Sequence, residues 1–431
     1  MLCSLNYGKS GLDVTLPDDW DVTVLRKKRM PVAPDSAAAV MAALDAPLGS
    51  ATIETEARGR ASACILVCDI TRPVPNRLVL RPIIERLRGA GVKSITVLVA
   101  TGLHRPNEGL ELQEVIGDPW VFDHASVVNH FARRADDHAA VGTTRQGIPV
   151  ALDRRFLEAD IRVAVGLVEP HFMAGWSGGR KLALPGVASA ETITAFHSAR
   201  ILGHPNADTA VLDGNPLHEA QNEVLGMIGP CLAMNLVIDE SRALSFASFG
   251  GIRESHAAAV RFAEPCFRLE VPRGFPVVLC SAAGFPLDTT WYQAVKGVCC
   301  GASVLERGGD LFVAAECAQG FGSAEFRQSQ RRLCTGGKAA FRAEAGARAH
   351  ALIDEWETVM LLKALEAGNV HLYSGGLGDE EHGLTGVQRC DDLLAGMRDA
   401  VKRSGQRRVA VVPEGPYVAP FVRRQGKGGS E

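Results

Sequence analysis

IRVAVGLVEPHFMAGWSGGRKLALPG, residues 161–186, sets the fold class of this chain. Its opening run, 161–168, is almost wholly apolar and rich in β-branched residues, the pattern of a strand buried on both faces. The run stops abruptly at a cluster of chemistry-bearing residues that includes His171, Ser177 and Lys181. The same arrangement occurs twice upstream. Residues 64–68 run into CDITRPVPN, with Asp69, Thr71 and Arg72, and residues 95–100 run into ATGLHRPN, with His104. Further apolar runs lie at 277–280, 311–315, 370–373 and 409–412.

Helical patterns fill many of the gaps. Ile83, Ile84 and Leu87 recur at helical spacing after Pro82, a residue suited to a first helical turn, and Gly89 and Gly91 end the pattern. Strand–helix–strand alternation implies an α/β fold with mostly parallel sheets. A chain of 431 residues exceeds one ordinary domain, so two are expected. Pro272, Gly274 and Pro276 punctuate the chain before a fresh strand, which puts the division at 1–272 and 273–431, with room for the last segment to pack back on the first domain. The polar, Gly-rich residues 423–431 are expected to fray.

Composition narrows the class. Hydrophobic residues make up 46% and charged residues 22%, the balance of a globular chain. A formal charge of −3 argues against a broad nucleic-acid-binding face, yet leaves room for a small anionic substrate. The N-terminus lacks the pattern of a signal peptide, and no apolar stretch is long enough for a membrane helix. The 11 cysteines are scattered without a C-x-x-C pair, so they read as reduced thiols of a cytoplasmic protein rather than a disulfide or zinc framework. The basic stretch 327–348 reads as a solvated helix face rather than a binding patch.

In open α/β sheets ligands bind beyond the carboxyl ends of the strands, so the three clusters are expected to converge on one sheet edge. Each residue alone has a plainer structural explanation. Arg72 could pair with Asp69; a histidine after a strand could simply satisfy a carbonyl. Ser177-Gly178-Gly179 could be only a tight turn, or a cradle whose N–H groups meet a phosphate, with Lys181 just beyond; the spacing is not that of a P-loop. SAETITAFHSARIL, 189–202, reads as one helix capped by Ser189. His197 shares the face of Ile193 and is either a buried structural imidazole or a metal ligand. In FPLDTTWYQAVKG, 285–297, Gln293 and Lys296 share a helix face and together suit a carboxylate, with Tyr292 beside them.

Taken in order, these motifs resemble the lactate racemase family, the nickel-pincer-dependent 2-hydroxyacid racemases. The resemblance spans the chain: DITRP at 69–73, HRP at 104–106, EPHFMAGWSGGRK at 169–181, the helix bearing His197, GNPLHE at 214–219, YQAVKG at 292–297 and VVPEGPYV at 411–418. It implies an isomerase with two α/β domains and an active-site cleft between them, the first domain binding the cofactor. That cofactor is a nickel-pincer nucleotide, the Ni(II) complex of a pyridinium-3,5-bisthiocarboxylate mononucleotide, joined covalently to Lys181. His197 matches the protein ligand to nickel, and His104 and His171 match the paired acid/base residues. Asp69, Ile70, Thr71 and Arg72 match the segment contacting the cofactor, together with the Ser177, Gly178 and Gly179 turn. Arg72, Tyr292, Gln293 and Lys296 match substrate-binding positions.

The chemistry explains the set. A 2-hydroxy acid inverts only if its C2–H bond breaks, and removal as hydride avoids a carbanion. One histidine takes the hydroxyl proton, a planar 2-oxo acid forms, and the second histidine serves the opposite hand. A sulfur-rich pincer with one imidazole suits square-planar nickel. Leu103 stands where many relatives carry Thr, and Trp176 and Trp291 add bulk near the expected pocket, changes able to reshape specificity without touching the chemistry; the resemblance implies a lactate-like or longer 2-hydroxy acid, with lactate one candidate. The expected partners are that small acid and the proteins that make the cofactor. Two other readings remain: a metal-dependent hydrolase or lyase built on His104, His171 and His197, and a non-catalytic protein that binds the cofactor or a 2-hydroxy acid.

Overall fold

The apolar runs form strands, and most are buried along their whole length because helices cover both faces of the sheets. A computed structural model describes residues 1–423, so the fraying expected at 423–431 lies almost wholly outside the described residues. The chain divides into two compact units. One contains residues 29–197 and 211–264; the other contains 1–28, 198–210 and the chain from 265 on.

The first unit is built on a six-stranded sheet in the order Leu244–Gly251, Leu232–Ile238, Ile161–Leu167, Ser62–Cys68, Ser94–Ala100, Ser126–Asn129. All neighbours are parallel except the first pair. Val67 pairs with both Val99 and Val165, so the three strands carrying the three polar clusters are adjacent and end level. Ile65, Val67, Val97, Val99, Val163 and Val165 meet Val79, Leu80, Ile83, Ile84 and Leu87 of the helix Asn76–Gly89 in one core. Each such side chain contributes about 1.5–3 kcal/mol by leaving water. That helix starts earlier than its spacing predicts, and Pro82 lies inside it. Val79 and Leu80 extend the buried face N-terminally, and their burial offsets the hydrogen bond that proline cannot donate.

The second unit carries a fully parallel six-stranded sheet: Gln388–Arg389, Asn369–Tyr373, Leu305–Ala314, Phe275–Ser281, Arg408–Val412, Asp21–Val24. The compact units are therefore not the continuous stretches of a cut at 273. Asp21–Val24 pairs with Arg408–Val412, which draws the N-terminal residues into the C-terminal unit. The last described strands belong to that unit as well. The basic stretch lies on the helix Ala324–Gly346 and just beyond it, where Arg327 pairs with Glu381 at 2.6 Å and Arg332 with buried Glu355 at 2.5 Å. All 11 cysteines are free, and among the described residues no helix is long and apolar enough to cross a membrane.

Candidate active site

Strand order places the site. From Ser62–Cys68 the chain steps outward through Ser94–Ala100 to Ser126–Asn129, then returns to the other side with Ile161–Leu167. The loops after Cys68 and Leu167 thus leave adjacent strands in opposite directions. The crevice at such a switch point is where open α/β sheets bind ligands.

Asp69, at the end of its strand, is 6% exposed. Its Oδ2 lies 2.6 Å from His104 Nδ1, and its Oδ1 accepts the Thr71 hydroxyl at 2.5 Å. Burial pushes the Asp69 carboxyl up, but the His104 and Thr71 hydrogen bonds and the Arg72 charge outweigh it, and the net shift is downward. An ionised Asp69 accepts the hydrogen bond of His104 Nδ1–H, so the lone pair sits on Nε2. The His104 side chain is 62% exposed. Arg72 pairs with Glu169 rather than Asp69, joining the two loops across the switch point. Ile70 packs against the core, and its N–H donates to buried Asn107 at 3.2 Å.

After Leu167 the chain makes a small hairpin, Pro170–His171 against Gly175–Trp176. His171 Nδ1 accepts N–H bonds from Met173 at 3.3 Å and Ala174 at 3.2 Å, and its Nε2 lies 2.8 Å from Lys181 Nζ. The hairpin is pinned from behind by Arg180, 2% exposed, whose guanidinium donates to the carbonyls of Trp176 at 2.8 Å, Ser177 at 3.3 Å and Ala174 at 3.4 Å. Burial lowers Arg180 to about 9.

Two groups of the Ser177–Gly178–Gly179 turn are engaged by the protein itself. The Ser177 hydroxyl donates to Leu167 O at 2.7 Å and accepts from Glu169 N at 3.0 Å, while Gly179 N–H donates to Asn235 at 2.9 Å. The glycines serve a close approach: a Cβ on Gly166 would meet Gly179 N at 2.4 Å, and Gly178 has φ +122°. The turn lies directly on the sheet and so fixes where Lys181 begins.

The predicted helix at 189–202 is two. Ser189 caps Ala190–Phe196 by accepting from Thr192 N, but the helix ends at His197, and Ser198 starts Ala199–Leu202. His197 Nδ1 donates to Ile193 O at 2.9 Å, which puts the lone pair on Nε2. Burial lowers the imidazole to about 4, opposed by the Ile193 bond and helped by the Lys181 charge. Among the described residues, no three His, Cys, Asp or Glu side chains gather as a metal-ligand set.

In the second unit, Thr290 caps the helix Trp291–Ala302. Lys296 Nζ donates to Gln293 Oε1, as their spacing predicts, and Trp356 Nε1 donates to the Tyr292 hydroxyl at 3.0 Å. Burial raises the Glu357 carboxyl to about 8, against the pull of the Lys296 charge. Trp176 and Trp291 are core residues, 1% and 0% exposed. Sequence reasoning missed Glu169 and Arg180, although both lie inside the quoted motif; only a contact map separates an anchor from its neighbours.

Models of two domains match the chain: the lactate racemase N-terminal domain over residues 7–210 and the lactate racemase C-terminal domain over 274–419. The lactate racemase of Thermoanaerobacterium thermosaccharolyticum is 32% identical over 362 residues, covering 83% of this chain and 84% of that protein. The lactate racemase of Lactiplantibacillus plantarum is 28% identical over 379 residues, covering 86% and 88%. The solved lactate racemase apoprotein from Thermoanaerobacterium thermosaccharolyticum superposes with a TM-score of 0.89 at 29% identity, covering 98% of this chain and all of that one. A Thermotoga maritima crystal structure, with a TM-score of 0.64 at 18% identity over 86% and 97% of the two chains, shares the fold. With its motifs in order, both domain models matched and a relative above 30% identity along most of its length, the chain belongs to the lactate racemase family.

Proposed function

We propose that this protein is a racemase or epimerase that inverts C2 of a small 2-hydroxy acid, lactate or a longer relative. In this reading a nickel-pincer nucleotide is joined to Lys181, with His197 as the protein's ligand to nickel. The observation that carries it is a pair of imidazoles at one switch point, each oriented through Nδ1 by a different anchor. Asp69 holds His104, and the amides of Met173 and Ala174 hold His171. The Nε2 atoms are then the ones that meet substrate.

The residues fit the group. Burial favours the neutral imidazole of His197, and its Nδ1 bond leaves the lone pair on Nε2 as a metal ligand requires. Lys181 lies one short turn from a backbone locked onto the sheet. When bound, the nucleotide would supply the hydride acceptor that spares C2 a carbanion. His104 Nε2 takes the hydroxyl proton from one enantiomer, and His171 Nε2 is its counterpart for the other. Arg72, oriented by Glu169, holds the substrate carboxylate; Lys296, Gln293 and Tyr292 remain proposed substrate-binding positions. The hydrolase reading would need His104, His171 and His197 as one ligand set, and the structure gathers no such set among the described residues.

Producing the protein beside cofactor-making enzymes tests the assignment. Intact mass, nickel content and peptide mapping should reveal a nickel-containing adduct on Lys181 that is absent from Lys181→Ala. Unmodified, nickel-free protein from a host that loads a known relative would overturn it.

A further inference from the structure

The ring of His104 is 62% exposed, so packing holds it little, and the aim of its Nε2 depends on the loop that carries it. That loop is fastened at Asn107, which is 1% exposed. The Asn107 backbone N–H donates to Asn129 Oδ1 at 3.0 Å, and its carbonyl accepts from Asn129 Nδ2 at 2.9 Å. In the side chain, Oδ1 accepts the Ile70 N–H at 3.2 Å and Nδ2 donates to Glu111 Oε2 at 2.9 Å. The loop leaves the middle one of three adjacent strands, and Asn107 ties it to the chain at the ends of both neighbours.

Chemistry fixes which way this amide points. The Arg105 and Asn107 hydrogen bonds hold the Glu111 carboxyl at about 2, so it only accepts. A flipped amide would set its oxygen against that carboxylate and its NH₂ against the Ile70 N–H. Residues 69–70 and 104–107 thus close a ring. Asp69 Oδ2 meets His104 Nδ1 at 2.6 Å on one side, and the Ile70 N–H meets Asn107 Oδ1 on the other.

We propose that Asn107, with Glu111 behind it, is a positioning residue for His104: by holding the amide next to Asp69 it keeps that carboxylate on Nδ1, and so keeps the lone pair on Nε2. The inference rests on the proposed function only for what that lone pair does, which is to take the substrate's hydroxyl proton. Exchanging the two polar ends tests it without changing net charge. In Asn107→Asp one carboxylate oxygen still accepts from Ile70, but the other faces the Glu111 carboxylate and is repelled. Adding Glu111→Gln restores the bond with donor and acceptor exchanged. Glu111→Lys, at a partly exposed position, removes the acceptor of Nδ2 and decides the matter if Asn107→Asp does not fold.

Nitrogen NMR of ring-labelled histidine reads the tautomer directly, in cofactor-free full-length protein at about pH 9, above the ordinary imidazole range. His104→Gln assigns the resonance, and circular dichroism checks that each variant folds. Wild-type His104 should carry its proton mainly on Nδ1. In Asn107→Asp and in Glu111→Lys the ratio of Nδ1–H to Nε2–H should fall at least about fivefold, the equivalent of one ordinary hydrogen bond. The double variant should return to within about twofold of wild type. A wild-type ring without that tautomer, a folded Asn107→Asp or Glu111→Lys that keeps the wild-type ratio, or a folded double variant no better than Asn107→Asp overturns the proposal. Neither cofactor nor substrate enters the assay, so its failure is separate from failure of Lys181 to acquire an adduct in a loading host.

Discussion

Two histidine–aspartate pairs lie in the same compact unit and have opposite fates. His130 Nδ1 lies 3.1 Å from Asp153 Oδ2, and its Nε2 lies 3.0 Å from Ala188 O; both side chains are 0% exposed. Arg155 adds a second hydrogen-bonded charge to Asp153 at 2.5 Å. His104 is held by Asp69 at an even shorter distance, yet its ring is 62% exposed. Ring and carboxylate are the same in both. What differs is the second nitrogen: inside a core it is tied to a backbone carbonyl, and at a strand's carboxyl end it is presented outward. A histidine–aspartate contact alone is therefore no sign of catalysis. Burial and the fate of Nε2 separate a clamp from a reagent.

Four perturbations break or sharpen that contrast. His104→Ala should have the largest effect on function, lowering inversion by the loaded enzyme roughly 100- to 10,000-fold while leaving the unfolding midpoint nearly unchanged; chiral chromatography and chemical denaturation read the two. Asp153→Ala should do the reverse. It leaves buried His130 and half-buried Arg155 without their carboxylate, at a cost of about 3–5 kcal/mol of stability, with activity per folded molecule retained. Asp69→Asn keeps the shape but removes the charge that holds the His104 tautomer, and a loss of roughly 100-fold in kcat is expected, with little change in stability. A stability cost for Asp69→Asn matching that for Asp153→Ala would erase the distinction.

The smallest effect is on acid stability. Burial raises Asp153, but the Arg155 and His130 hydrogen bonds prevail and hold it at about 2, below its ordinary 3.8. A carboxyl depressed by folding stabilises above the unfolded value and loses that contribution as pH falls through the folded one. Denaturant midpoints of the wild type should therefore drop between pH about 4 and about 2 by an increment that Asp153→Asn lacks.

Much of this was legible in the chain. Apolar runs marked the strands, and the polar clusters after residues 68, 100 and 168 did converge at adjacent strand ends, because parallel strands point the same way. Ser189 capped its helix as its chemistry demands. Other features depend on contacts that no local pattern encodes. Pro82 reads as a helix start until Val79 and Leu80 are seen in the core. The stretch bearing His197 has unbroken helical spacing, yet the chain passes from one compact unit to the other at that point, and Ser198 caps a new turn. Gly178 and Gly179 read equally as an anion cradle or as a packing turn, and only the distance to Gly166 reveals the close packing. The strand Asp21–Val24 is too short to announce its partner at residues 408–412.

The measurement that bears most directly on the central claim is the fate of hydrogen at C2. Protein loaded at Lys181 is incubated with single enantiomers of 2-hydroxy acids deuterated at C2, and the products are resolved by chiral chromatography with mass detection. The account predicts that the opposite enantiomer accumulates with its deuterium retained. Loaded protein that leaves every acid uninverted, or that inverts one while its deuterium is lost to water, would contradict it.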